Sequence, residues 1–203
     1  MLVEAVNVSA RTVTLARGVL DTVPVAHTSG TRIWFVAPHY ISPEYVAGEK
    51  PQLRLCPKTG RGELDVALAT TISCTIAKRF IRPYPPGNIK INGEAYPSVV
   101  TGDITVTWAN RNRVAQTAGV ILQTDGNITP EPNQTTTIRF YGGPGLDVLR
   151  RTYSGLTGTS QTWTMAEIIS DGAASDSRIK MEIEATRDGY VSLQKHTIIF
   201  GRA

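Results

Sequence analysis

GDITVTWAN, residues 102–110, decides the fold. Ile104, Val106 and Trp108 fall on one side of an extended chain, Thr105 and Thr107 on the other. A period of two is a strand with one buried face, and Trp108 reads as its core anchor. Working outward, TTTIRFYGG (135–143) reads as a strand ended by the turn GGPG (142–145), and LDVLRRTYSG (146–155) follows it. RIKMEIEAT (178–186) places Ile179, Met181, Ile183 and Ala185 inward. YVSLQKHTIIF (190–200) is the last strand, and AGVILQT (118–124) is a further one, closed by a turn at Asp125-Gly126. One short helix is expected at TMAEIISDG (164–172): Thr164 is the N-cap, Glu167 completes a capping box, and Asp171-Gly172 stops it. About seven alternating strands with frequent turns predict a β-sandwich over residues 88–203.

The turn at Asp188-Gly189 poses a register problem. A two-residue hairpin sets Thr186 opposite Val191 and Glu184 opposite Leu193, so polar and apolar side chains share a face. Either a longer loop or bulge relieves this, or Val191 and Leu193 face a partner.

Upstream, IRPYPPGN (81–88) holds three prolines and a glycine, which neither a helix nor a central strand accepts. It predicts a stiff connector at 82–87 between an N-terminal β domain, 1–81, and the sandwich, 88–203. In the N-terminal domain LVEAVNVSA (2–10) and RTVTLARGVL (11–20) read as strands, and RIWFVA (32–37) as the core strand. KPQLRLCPKTGRGELDVALAT (50–70) reads as a hairpin turning at Thr59–Gly62, with ELDVALAT favoured as strand over helix. TISCTIAKRF (71–80) alternates at Ile72, Cys74 and Ile76. The class is therefore all-β.

The chemistry of the chain is sparse. Cys56 and Cys74 make no disulfide framework and read as two buried thiols. The histidines, His27, His39 and His196, show no ligand spacing, so neither a metal nor another cofactor is expected. There is no G-x-S-x-G elbow, and His27 beside Ser29 reads as turn chemistry. Asp125, Asp171 and Asp188 each precede Gly, which turn geometry explains without a carboxylate pair. GGPG lacks the lysine and helix of a phosphate loop. The chain is not expected to be an enzyme.

The formal charge is +4, and residues 1–87 supply all of it. No basic stripe interleaves with aromatics, so nucleic acid is not an expected partner. No stretch is apolar enough to span a bilayer and no signal peptide is legible, which predicts folding in the cytoplasm without membrane insertion. Tyr40 and Tyr45, in the loop HYISPEYVAGEKP (39–51), leave two readings open: contact with a sugar or protein partner, or folding back over their own domain.

PYPPGNIKINGEAYP (83–97) followed by GDITVTWANRNRVAQTA (102–118) resembles the tail proteins of long-tailed bacteriophages and prophages. There a proline connector precedes a fibronectin type III-like domain opening on a W-x-x-R-x-R strand. ITPEPNQTTTIRFY (128–141), LRRTYSGLTGTSQTWT (149–164), EIEATRDGYVSLQKH (182–196) and TVTLARGVLDTVPVAHTSGTRIWFV (12–36) resemble further parts, so the likeness spans roughly 11–200. Two departures stand out: Asn110 where the pattern often has His, and Leu193 where it often has Trp. The resemblance implies a virion structural protein at the distal tail, in the baseplate or tail tip, made in the host cytoplasm. It implies other tail proteins as partners, around a symmetric, trimeric hub, with a host-surface receptor as the alternative partner. Members are often longer, so a chain starting here is expected to be a separate small gene or a shortened form without the tube or hub ring. The candidate interaction surface is Tyr40, Tyr45, Val191 and Leu193.

Overall fold

A computed structural model describes residues 2–33, 46, 48–76, 78–116 and 120–203. In chain order its strands are β1 (Leu2–Asn7), β2 (Thr12–Ala16), β3 (Gln52–Arg54), β4 (Lys58–Thr59), β5 (Gly62–Glu63), β6 (Thr71–Ser73), β7 (Gly87–Ile91) and β8 (Val99–Val100). β9 (Ile104–Ala109), β10 (Thr135–Gly142), β11 (Val148–Leu156) and β12 (Ser160–Trp163) follow. After the helix α1 (Met165–Ser170) come β13 (Arg178–Arg187), β14 (Tyr190–Val191) and β15 (His196–Arg202). The chain is all-β, and it divides into two units, Met1–His27 with Arg82–Ala203, and Thr28–Ile81.

The larger unit is a β-sandwich. One sheet runs β12-β9-β7; the other runs β11-β10-β13-β15-β8, with β14 paired to β13. The chain crosses between sheets early, since β7 pairs antiparallel with β9 and β8 pairs parallel with β15. The faces follow the sequence alternation. Ile104, Val106 and Trp108 are buried, and so are Ile179, Met181, Ile183 and Ala185. All of these but Ala185 meet Ile138, Phe140, Ile198 and Phe200 in one core, where Trp163 of β12 stacks on Phe140 of β10 at 4.6 Å between ring centroids.

The helix forms where the capping box places it. The Thr164 hydroxyl accepts from the Glu167 N–H, and the Glu167 carboxylate accepts from the Thr164 N–H at 3.0 Å. Asp171 closes it, and Gly172 follows at φ +68°. GGPG is the expected turn, closed by the Leu146 N–H onto the Gly143 carbonyl at 3.1 Å.

Three expectations about this unit are corrected. First, residues 1–27 group with the sandwich and not with a domain 1–81. The Leu20 N–H donates to the Ile121 carbonyl at 3.0 Å, and Ala16 and Gly18 are buried there. Second, 82–87 is no free connector. Pro83, Pro85, Pro86 and Gly87 are buried, and the Asn88 N–H donates to the Gln123 carbonyl. The prolines deny this segment a ladder while suiting it to an extended, packed backbone. Third, AGVILQT forms no strand among its described residues; Ile121 is buried and Leu122–Asp125 is a turn.

The register problem is relieved by an irregularity near the turn, as expected, although the two-residue turn itself is kept. The tight hairpin persists, with Thr186 opposite Val191 and Arg187 opposite Tyr190. Ser192 still pairs with Ala185, after which the ladder slips and resumes at Ile183 opposite His196. Beside this hairpin, Arg82 donates to the Val191 carbonyl and the Val23 N–H donates to Gln194.

Among its described residues, the unit Thr28–Ile81 holds two small antiparallel sheets, β3-β6 and β4-β5, and a 3-10 turn at Arg79–Ile81. The β4-β5 hairpin turns at Gly60-Arg61, as the sequence predicts. ELDVALAT is strand only at Glu63. Asp65 then accepts from the Ala67 N–H and starts a turn, a local bond that competes with the ladder. The expected core strand RIWFVA lies largely outside the described residues.

Candidate functional site

The residues expected to carry interaction scatter. Tyr40 and Tyr45 lie outside the described residues. Val191 is half-buried with its carbonyl engaged by Arg82, while Leu193 is exposed. Trp108 lies in the core as expected, 4% exposed, with its indole N–H unpartnered. The thiols are not both buried: Cys56 is half-buried and Cys74 exposed, because β3 and β6 have no covering layer among the described residues.

Several carboxylates of the sandwich bind its own side chains and backbone. Asp176 binds Arg150 through both oxygens and accepts from the Gly143 N–H. Asp171 takes the Arg151 guanidinium at 2.7 Å and the Trp163 indole N–H at 2.8 Å. Glu184 pairs with Arg139, and Glu182 with Lys195. Hydrogen bonds from Thr164 and from the Tyr153 hydroxyl hold Glu167 below the usual carboxylate range. Among the described residues no group of three His, Cys, Asp or Glu could hold a metal. His27-Ser29 runs into a turn closed by Thr31 onto the Thr28 carbonyl.

The two arginines of W-x-x-R-x-R serve the interior. Arg111 is 1% exposed and donates to the carbonyls of Gly18 and Ile121, tying the N-terminal segment to the sandwich. Burial pulls its guanidinium down to about 10. Arg113 and Arg187 both pair with Glu131, whose side chain is wholly buried, and the Arg113 N–H donates to the same carboxylate.

A cleft of about 330 Å³ in this unit is lined by Glu4, Leu15, Arg17, Pro24, Tyr96 and Gln123. Two of these lining residues reach His196, 2% exposed: the Tyr96 hydroxyl lies 3.4 Å from Nε2 and Gln123 Nε2 3.3 Å from Nδ1. Burial pushes this imidazole down to about 4 from 6.5. The unfolded chain therefore takes up the proton first as acid is added. Stability from this group is full above pH 6.5 and falls as the pH drops from there to about 4, by roughly 3 kcal/mol at most. Urea midpoints measured across that window should fall on acidification, and His196→Gln should flatten the slope. An equal slope in the variant would assign the acid sensitivity elsewhere.

The unit Thr28–Ile81 differs in kind. Among its described residues only Ala69 is buried. Leu53 and Ile72 pair directly across β3 and β6, with 52% and 48% of their surface exposed. Leu55, Leu64, Val66 and Leu68 are exposed too. The Arg54 side chain holds this sheet internally, donating to the Thr71 hydroxyl and the Val66 carbonyl.

No family model matches the chain, and no curated protein matches it. Among solved structures it is similar to a computationally redesigned β-sandwich protein, at 16% identity and a TM-score of 0.35, over 59% of this chain and 94% of that one.

Sequence reasoning missed the Glu131 cluster and the exposed apolar set. The first has a signal in hindsight: a charged residue between two prolines, Pro130 and Pro132, sits where no strand forms. The second has none, because alternation at Ile72 and Cys74 looks the same whether the apolar side meets a core or solvent.

Proposed function

We propose that the chain is a structural component of a long-tailed phage virion at the distal tail, in the baseplate or tail tip, attached to the tail hub by protein–protein contacts. The observation that carries this is the exposed apolar set of residues 28–81, headed by the Leu53–Ile72 pair. Soluble monomers rarely keep such a set in water, whereas subunits bury theirs on assembly. The place in the virion comes from the motif resemblance at 83–118. The internal use of the sandwich carboxylates fits a scaffold better than a hydrolase.

A second reading, a host-surface module for a glycan or outer-membrane protein, is favoured by the cleft beside the exposed Tyr96 ring. Gold-labelled antibody microscopy on particles from the source culture separates the two. Gold at the far end of the tail supports the structural reading. Particles without gold, together with binding of the purified chain to host cells, support the second.

A further inference from the structure

We infer that the Leu53–Ile72 face of residues 28–81 docks onto an acidic, partly apolar surface of a different protein. The inference rests on the assembly reading for the existence of a partner, and adds its chemistry. Leu53 and Ile72 are cross-strand neighbours and stand about half exposed, so the two-stranded sheet presents an apolar face with no covering layer among the described residues. Two strands alone are marginal in water and gain stability when a third layer covers them.

Charge identifies what that layer is. Residues 28–81 carry seven Lys and Arg against four Asp and Glu, a net +3 of the chain's +4. The acidic groups are partly occupied within the unit: Glu49 accepts from the Val46 N–H and Asp65 from the Ala67 N–H. Lys50, Lys58 and Arg61 are exposed and make no ion pair among the described residues. A second copy offers +3 from the same unit, which meets cation with cation, and a sandwich unit that is close to neutral at +1. An acidic protein surface complements both the aliphatic and the cationic groups. Nucleic acid would satisfy the charges and leave the leucines in water, because aliphatic side chains provide no stacking platform.

Carbodiimide, which joins amines to carboxylates only in direct contact, tests this with the full chain. It is applied to particles from the source culture and to extracts of the cells that make them, and the cross-linked peptides are sequenced. The expected result is Lys50 or Lys58 joined to Asp or Glu of a different polypeptide. The yield should fall about tenfold in Leu53→Asp/Ile72→Asp, and several-fold between about 0.05 and about 0.5 M salt. Lys50→Glu/Lys58→Glu should release the same partner in co-purification. All four positions are exposed, so the sandwich's unfolding transition should not move.

Cross-links solely to another copy, no cross-link at Lys50 or Lys58 in either preparation, or co-purification abolished by nuclease would each overturn the proposal. A chain absent from particles but cross-linked in extracts would keep the docking surface and remove the virion placement. A chain present in particles with both lysines unjoined would do the reverse.

Discussion

Trp163→Ala should remove about 4 kcal/mol or more from the sandwich, the upper part of the range for emptying a buried aromatic site. Domain stabilities of roughly 5–15 kcal/mol make that a large share of the whole. Three separate losses combine. The side chain is fully buried, so its removal leaves a cavity in the middle of the core. Its ring stacks on Phe140, which bridges the two sheets. Its indole N–H donates to Asp171, the residue that closes the helix and holds Arg151. Trp108 makes the contrast. It is also in the core, but its N–H has no partner, so Trp108→Phe removes an unsatisfied donor along with some volume. Trp108→Phe should therefore cost about 1–2 kcal/mol less than Trp163→Phe. Guanidinium unfolding followed by far-ultraviolet circular dichroism gives both numbers. If Trp108→Phe proves the costlier, the Trp163–Asp171 hydrogen bond contributes little to stability.

That contrast marks how far the sequence could be read. The alternation of 104–108 and of 179–185 reports a strand and its buried face directly, because every second side chain must be apolar for the sheet to cover a core. The capping box at Thr164–Glu167 is equally local, and the helix stands on it. Which tryptophan matters most is not local. It depends on Phe140 arriving from the other sheet and Asp171 from beyond the helix. The same holds at 82–87: three prolines say that no ladder forms, but not whether the segment is solvated or packed. Adjacency in sequence places the first 27 residues with the wrong unit, since the bonds of Arg111 to Gly18 and of Leu20 to Ile121 join positions about a hundred apart. Of the candidate site, Leu193 was legible as an apolar residue on a polar face; the Leu53–Ile72 pair was not, because the pattern of an uncovered sheet and of a covered one is the same.

Glu131→Ala should destabilise the sandwich by about 3–5 kcal/mol, the range for breaking a buried ion pair by deleting one partner. The carboxylate is wholly buried and shared by Arg113 and Arg187, so its loss removes the anion that holds two guanidinium groups near one another in a poorly solvated site. It also releases the Arg113 backbone N–H, which donates to the same oxygen pair. The cluster ties three distant pieces together: the segment after β9, the loop before β10 and the end of β13. Losing it should loosen the edge that Arg111 also holds against Gly18 and Ile121. Glu131→Gln keeps the shape and part of the hydrogen bonding while removing the charge, and should fall between wild type and alanine. The decisive measurement is a double-mutant cycle on Glu131→Ala and Arg187→Ala by urea unfolding. A coupling of about 2 kcal/mol or more shows that the two residues act as one unit. A coupling near zero would show instead that Glu131 and Arg187 contribute to stability independently.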